Sequence, residues 1–382
     1  MPLKKLCKTK KRQWDSKGFC GPVVAKSVFS LASCVQPYYN SDMEKIGTLG
    51  KSVELIETCR TEMAKRIVGQ REMIDGLLAA LIAGGHILLE GVPGLAKTLA
   101  VKSLAQITGL DFKRIQFTPD LLPADLTGTL IWEQAKGSFS VRRGPVFANV
   151  ILADEINRAP AKMQSALLEA MEERQVTIGE TSYPLPDPFF VLATENPIEH
   201  EGTYALPEAE LDRFLLKLLV TYPTPEQELA IVERSPALAS GGTDRRERLA
   251  PVLNNESIAM LRDAVDSIHL DEKIAKYIVS IVTATRPVAT RSGTAGTQAS
   301  KMAESLYRYV SFGASPRASI ALHRCARIFA LFSGREFVSP EDVKAAAHPV
   351  LRHRIVLSYE AEADGLDADA VIARILSHVP VP

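Results

Sequence analysis

The residues best suited to chemistry cluster in the stretch His86–Thr98, H-I-L-L-E-G-V-P-G-L-A-K-T. Ile87–Leu89 form an apolar run after Gly84 and Gly85, which reads as a buried strand. A glycine-rich turn follows, and a helical pattern opens at Lys97 and Thr98 (Leu99, Val101, Leu104). In that arrangement Gly91, Val92, Pro93, Gly94, Leu95, Ala96, Lys97 and Thr98 form a cradle for a polyphosphate. The glycines let backbone N–H groups converge, and the helix N-terminus adds unsatisfied donors and partial positive charge. Lys97 would reach the β- and γ-phosphates, and the Thr98 hydroxyl would ligate magnesium. The pattern departs from G-x-x-x-x-G-K-[ST] only at Ala96, the smallest possible change there. The competing reading is an ordinary strand-to-helix turn carrying a surface lysine.

Two downstream patterns weigh against that bland reading. The apolar run Val150–Ala153 ends in Asp154-Glu155. Beside a phosphate loop, the first carboxylate would hold magnesium through water and the second would polarise an attacking water. Without the loop, the pair would be a solvated acidic turn. The next apolar run, Phe189–Ala193, leads into Thr194-Glu195-Asn196-Pro197. There the Asn196 amide could hold the attacking water against the γ-phosphate; alternatively Asn-Pro merely starts a turn.

These groups need a scaffold that delivers strand ends to one place. Short apolar runs at Ile87–Leu89, Arg114–Phe117, Val150–Ala153, Phe189–Ala193 and Phe214–Leu219 alternate with helical patterns, which describes a parallel α/β sheet. Thr129–Val141 reads as an inserted hairpin turning at Lys136-Gly137-Ser138, and Val176–Pro188 as a second hairpin or extended loop. Between them, Pro160 followed by Met163, Ala166, Leu167, Ala170 and Met171 marks a helix. The expected division is a basic, disordered extension at 1–42, a helical segment at 43–66, an α/β nucleotide-binding domain at 67–222 and a purely helical domain at 223–382. Ser240–Thr243 and Ser292–Ser300 are rich in Gly, Ser and Thr and read as flexible.

Composition narrows the function classes. The 382 residues are 46% hydrophobic and 24% charged, with zero formal net charge. A neutral chain gives no electrostatic case for nucleic acid or an anionic membrane. No apolar run is long enough to span a bilayer. Cys7, Cys20, Cys34, Cys59 and Cys325 contain no C-x-x-C pair, so free thiols in a reducing compartment are expected. The basic start (Lys4 to Lys26, with Asp15 as its lone acid) and Val28–Cys34 superficially suggest an export signal. Pro22 and Lys26 break the apolar region that such a signal needs, and export would separate a nucleotide-dependent machine from ATP. A cytoplasmic protein is expected.

The phosphate loop, Asp154-Glu155, Asn196, the segment Leu206–Phe214 (L-P-E-A-E-L-D-R-F) and Gly313–Ala318 (G-A-S-P-R-A) together resemble the AAA+ ATPases, and within them the MoxR family. The resemblance runs from about Met43 to Pro382 and includes Leu351-Arg352-His353-Arg354-Ile355. Residues 1–42 and 292–300 have no counterpart in it. It implies an AAA+ P-loop domain with a five-stranded parallel sheet flanked by helices, and a C-terminal all-helical lid. Val68 and Gly69 resemble the segment lining the adenine pocket. Lys97 and Thr98 match the phosphate-loop lysine and magnesium ligand, Asp154 the Walker B aspartate, Glu155 the catalytic glutamate, and Asn196 the sensor-1 position. Arg213 falls where the family presents an arginine finger to the neighbouring subunit. Arg317 matches the sensor-2 arginine that reads the nucleotide in its own subunit. For either arginine alone, a surface salt bridge is the competing reading; Arg158 is a further candidate for the subunit boundary.

The resemblance also implies magnesium-dependent hydrolysis of ATP in a ring of identical subunits, a hexamer. The ring would drive chaperone-like assembly, activation, or cofactor or metal insertion of a client enzyme complex, with a von Willebrand factor A domain protein as partner. Two other classes compete. One is a nucleotide-switched scaffold with little turnover, separable by steady-state phosphate release. The other is a DNA-remodelling motor, against which the neutral charge argues.

Overall fold

The five apolar runs are strands of one sheet. The computed structural model describes residues 49–197, 202–234, 249–287 and 308–382. The expected basic extension, Ser240–Thr243 and Ser292–Ser300 lie outside the described residues. A first helix, α1, covers residues 49–64, and α2 covers Arg71–Ala83. There follow β1 (Ile87–Glu90), α3 (Lys97–Thr108), β2 (Phe112–Gln116), the short α4 (Pro123–Thr127), a hairpin of β3 (Gly128–Glu133) and β4 (Ser138–Arg143), and β5 (Val150–Asp154). Next come α5 (Ala161–Glu173), a second hairpin of β6 (Gln175–Ile178) and β7 (Thr181–Pro184), β8 (Phe190–Glu195), α6 (Glu208–Leu211), β9 (Leu216–Leu219) and α7 (Pro225–Arg234).

The sheet order is β2-β5-β8-β1-β9, and every neighbouring pair is parallel. The central strands are buried on both faces and therefore read as continuous apolar runs. Alternate residues feed two cores. Ile87, Leu89, Val150, Leu152 and Leu192 face α1, α2 and α3 along with the C-terminal helices. Leu88, Ile151, Ala153, Val191 and Ala193 face the side closed by α4, α5 and the hairpins.

Two strands start two residues away from where the sequence pattern puts them. The strand expected at Arg114–Phe117 begins at Phe112 and ends at Gln116. It is an edge strand with only Ile115 buried, so its polar residues hide it from an apolar count. The strand expected at Phe214–Leu219 starts at Leu216, because residues 212–215 form the turn that feeds it.

The lid is built from α8 (Asn255–Ser267), α9 (Glu272–Ala284), α10 (Pro316–Phe332), α11 (Pro340–Leu351), α12 (Tyr359–Ala363) and α13 (Ala368–His378). Side chains of Asn254, Asp271, Ser315 and Asp367 accept from the first-turn N–H groups of α8, α9, α10 and α13, satisfying donors that a helix start leaves open. Helices are not quite all of it: β10 (Val310–Phe312) pairs antiparallel with β11 (Val356–Leu357). Cys59 and Cys325 are buried free thiols pushed up to about 12 by burial, which makes them inert packing residues. No helix of the described residues is long and apolar enough to cross a membrane.

Candidate nucleotide site

The loop after β1 is shaped by backbone demands. A Cβ at Gly91 would lie 2.7 Å from the Val220 carbonyl oxygen, so no side chain fits there. Gly94 (φ 89°) and Ala96 (φ 58°) are both left-handed. For Ala96 that conformation costs about 1–2 kcal/mol, which explains why glycine is the consensus residue at this position. Lys97 opens α3, and its Nζ donates to the carbonyl oxygens of Gly91 (2.5 Å) and Glu195 (3.1 Å). Burial lowers the Lys97 pKa, opposed by the nearby carboxylates of Asp154, Glu155, Glu90 and Glu195.

Sheet order places β8 between the acid-bearing β5 and the loop-bearing β1. Thr194, at the end of β8, ties the acids together. Its hydroxyl donates to Asp154 Oδ1 (2.7 Å) and accepts from the Glu155 backbone N–H (2.9 Å). Glu155 itself is left-handed (φ 57°), a strained conformation of the kind concentrated at working sites. Its Oε2 accepts from Gln116 Nε2 (2.6 Å) and pairs with Arg158 Nε (3.2 Å). Asp154 Oδ2 accepts from Arg114 Nε (3.0 Å) and Nη2 (2.6 Å), and Arg114 Nη2 also donates to Gln116 Oε1 (2.9 Å). Arg158, a candidate for the subunit boundary, thus meets Glu155 of its own chain.

A cavity of about 410 Å³ is lined by Pro93–Leu99, Lys102, Asp154, Glu155, Thr194 and Asn196. The loop lysine, both acids and the buried Asn196 are therefore brought together. Thr98 and Asp154 offer hard oxygen donors there, a set that suits magnesium completed by phosphate and water. Gly91 and Val92 support the loop without lining the cavity. The turn at Val68-Gly69 lies beside the chain that leaves β9. A Cβ at Gly69 would meet Gln227, and Gln70 Nε2 donates to the Thr221 carbonyl (2.8 Å). Since Gly91 abuts Val220, this turn is at the same end of the sheet as the phosphate loop.

Arg213 and Arg317 are elsewhere. They line a second cavity of about 310 Å³ with Gly84, Gly85 and His86, which precede β1. His86 and Gly91 bracket β1, so the two cavities lie at opposite ends of the sheet, roughly 15 Å apart at about 3.3 Å per residue. The structure thus does not bring Arg317, expected to read the nucleotide of its own subunit, to the phosphate loop. The lid docks so that α10 begins at the end of β1 opposite the phosphate loop. Arg174 and Arg324, which also line this cavity, and Arg262 bond the end of α2. Arg174, Arg262 and Arg324 donate to the carbonyls of Gly84 (2.9 Å), Ile82 (3.3 Å) and Ala83 (2.8 Å), where the end of α2 leaves acceptors open. Arg213 (3.1 Å) and Arg317 instead converge on the carboxylate of Glu172, with side chains 30% and 49% exposed.

Sequence reasoning missed Thr194, Arg114, Gln116, Lys102 and Glu172. A signal existed for two of them: Arg114 and Gln116 are polar residues at alternate positions of one strand, hence on one face.

The family model described as "ATPase family associated with various cellular activities (AAA)" matches residues 86–216, and "AAA lid domain" matches 304–375. Chaperone MoxR1 of Mycobacterium tuberculosis is 45% identical over 334 residues, covering 87% of this chain and 84% of that protein. The chain belongs to the MoxR family of AAA+ ATPases. Protein MoxR of Methylorubrum extorquens is 33% identical, covering 84% of this chain and 93% of its own length. A crystal structure from Cytophaga hutchinsonii superposes with a TM-score of 0.79 at 46% identity, covering 90% of this chain and 99% of that one. The AAA domain with its five-stranded parallel sheet and the C-terminal lid are thus family features of this MoxR chain.

Proposed function

We propose that this MoxR protein hydrolyses ATP at sites shared between neighbouring subunits of a ring, and that the lid couples turnover to chaperone-like work on a client complex. One observation carries the reading: the phosphate loop with its acids and the arginine pair Arg213–Arg317 sit at opposite ends of one sheet. That separation supports both arginines acting on the phosphates of the neighbour rather than on those of their own chain. Lys97 binds the β- and γ-phosphates, Glu155 takes the proton of the attacking water, and Asn196 orients that water. Magnesium, held by Thr98 and through water by Asp154, would neutralise phosphate charge. Val68 and Gly69 flank the base. The division of the chain at residues 222 and 223 and the cytoplasmic location, drawn from the sequence pattern, belong to the same reading, as do the hexameric count and a von Willebrand factor A domain partner, which rest on the family resemblance.

The test separates roles. Lys97→Ala should abolish binding of a fluorescent ATP analogue, while Glu155→Gln should bind it and not turn over. Equal loss of binding in both would overturn the assignment. A nucleotide-switched scaffold is favoured by one feature, the engagement of Glu155 by Gln116 and Arg158. Negligible steady-state phosphate release from assembled parent protein would select it.

A further inference from the structure

Asp212 precedes Arg213 in the turn that enters the edge strand β9, and the lid grips this turn from both sides. Arg354, with a side chain 3% exposed, donates from Nε to Asp212 Oδ1 (2.8 Å). Its Nη2 donates to the carbonyls of Phe214 (2.6 Å) and Asp212 (3.3 Å), and Nη1 to those of Leu215 (3.1 Å) and Val350 (2.5 Å). One planar fork thus spans the backbone on either side of Arg213. The other Asp212 oxygen accepts from Ser315 Oγ (2.8 Å), the N-cap of the helix that carries Arg317. His353 Nε2 meets the Phe214 carbonyl (2.9 Å), and Arg352 Nη1 donates to that of Lys217 (2.8 Å).

We propose that Arg354 and Asp212 form a latch that positions Arg213 and Arg317 together, so that the lid sets whether a subunit can complete its neighbour's site. A buried ion pair is a weak source of stability, and its best-attested use is to fix one geometry. Here the fixed geometry is that of the turn bearing Arg213. Lysine cannot replace the fork, because it lacks the planar set of donors.

The inference rests on the arginines acting in trans, and the experiment keeps the two apart. Arg354→Lys, Asp212→Asn and Arg213→Ala are each assayed alone and in doubly tagged mixed assemblies with Lys97→Ala chains. Alone, both latch variants should keep affinity for a fluorescent ATP analogue within about threefold yet lose about tenfold or more in turnover, a fraction of what a trans arginine is worth. Mixing should restore turnover, since roughly a quarter of the head-to-tail interfaces in an equal mixture pair an intact phosphate site with an intact arginine. Failure of Arg213→Ala to be rescued although mixed assemblies demonstrably form overturns the trans reading. Rescue of Arg213→Ala without rescue of the latch variants overturns the latch alone. So does parent-like turnover in both latch variants, and so does loss of nucleotide binding or of folding in both, which would make the pair purely structural.

Discussion

Thr194→Val removes one hydroxyl while keeping the shape of a fully buried side chain. Thr194 is 1% exposed, and its hydroxyl bonds both Asp154 and the Glu155 backbone. A bond to a carboxylate contributes about 1.5–3 kcal/mol and one to a backbone N–H about 0.5–1.5 kcal/mol. The variant should therefore lose about 2–4.5 kcal/mol of unfolding free energy. The functional effect should exceed what stability alone explains. Glu155 is left-handed, and the bond from its N–H to Thr194 is what opposes relaxation toward an ordinary conformation. On the proposed reading, in which Glu155 is the general base and Asn196 orients the attacking water, a relaxed Glu155 is misaimed, so turnover should fall by about one to two orders of magnitude. The phosphate loop is untouched, so affinity for a fluorescent ATP analogue should stay near the parent value.

Three measurements decide it: urea unfolding followed by circular dichroism, analogue titration and phosphate release. Thr194→Ser, which keeps the hydroxyl, is the control and should retain most of the turnover. Parent-like stability and turnover in Thr194→Val would refute the reasoning. A loss of nucleotide affinity matching that of Lys97→Ala would also do so, because it would show the hydroxyl organising the loop rather than the acids.

Ala96→Gly should raise unfolding free energy by about 0.5–1 kcal/mol, the left-handed cost of about 1–2 kcal/mol less the added entropy of an unfolded glycine; a loss of stability in urea unfolding would contradict this. His86 is buried and neutral, accepting from the Val191 N–H at Nδ1 (3.1 Å) and meeting the Met171 carbonyl at Nε2 (3.3 Å), and burial lowers its pKa from 6.5 to about 4. A depressed histidine contributes stability that is complete above pH 6.5 and drains away as pH falls toward 4, because the unfolded chain binds the proton first. The contribution is about 3 kcal/mol, so His86→Gln should show a shallower fall of unfolding free energy across that window, and an unchanged slope would refute the assignment. Arg317→Ala should bind ATP, turn over slowly and regain turnover in mixed assemblies with Lys97→Ala; absence of rescue would return it to its own subunit's site.

What could be read from the chain was local. The loop, Asp154-Glu155 and Asn196 each end an apolar run, and a central parallel strand shows itself by that run. β2 was read two residues late because its edge position lets Phe112 and Lys113 precede a single buried Ile115. Thr194 was visible as a residue but not as a linker, since its role depends on β8 lying beside β5. The bridge of Arg114 to Asp154 likewise needs the pairing of β2 with β5. The placement of Arg317 was not legible for a larger-scale reason. Its place at the first turn of α10 is legible, but the end of the sheet that turn meets is decided by how the lid packs on α2 and β9, through Arg324, Arg352 and Arg354.

That packing bears on why the proposed assembly is a ring. A twofold dimer pairs the same patch on both partners, so it completes two shared sites only if phosphate loop and arginines adjoin on one face. Here they occupy opposite ends of β1, separated by the length of that strand. A head-to-tail contact has no such requirement: the loop end of one chain meets the arginine end of the next, and repetition closes a ring. Between those ends in each chain stand β1 and β8, buried on both faces, with the lid fastened to β9 alongside. A rigid sheet transmits position rather than absorbing it. On the proposed reading, a shift of the phosphate loop in one subunit is therefore felt at the turn of Arg213, and so at the next subunit's phosphates, through the same fastening that seats the lid.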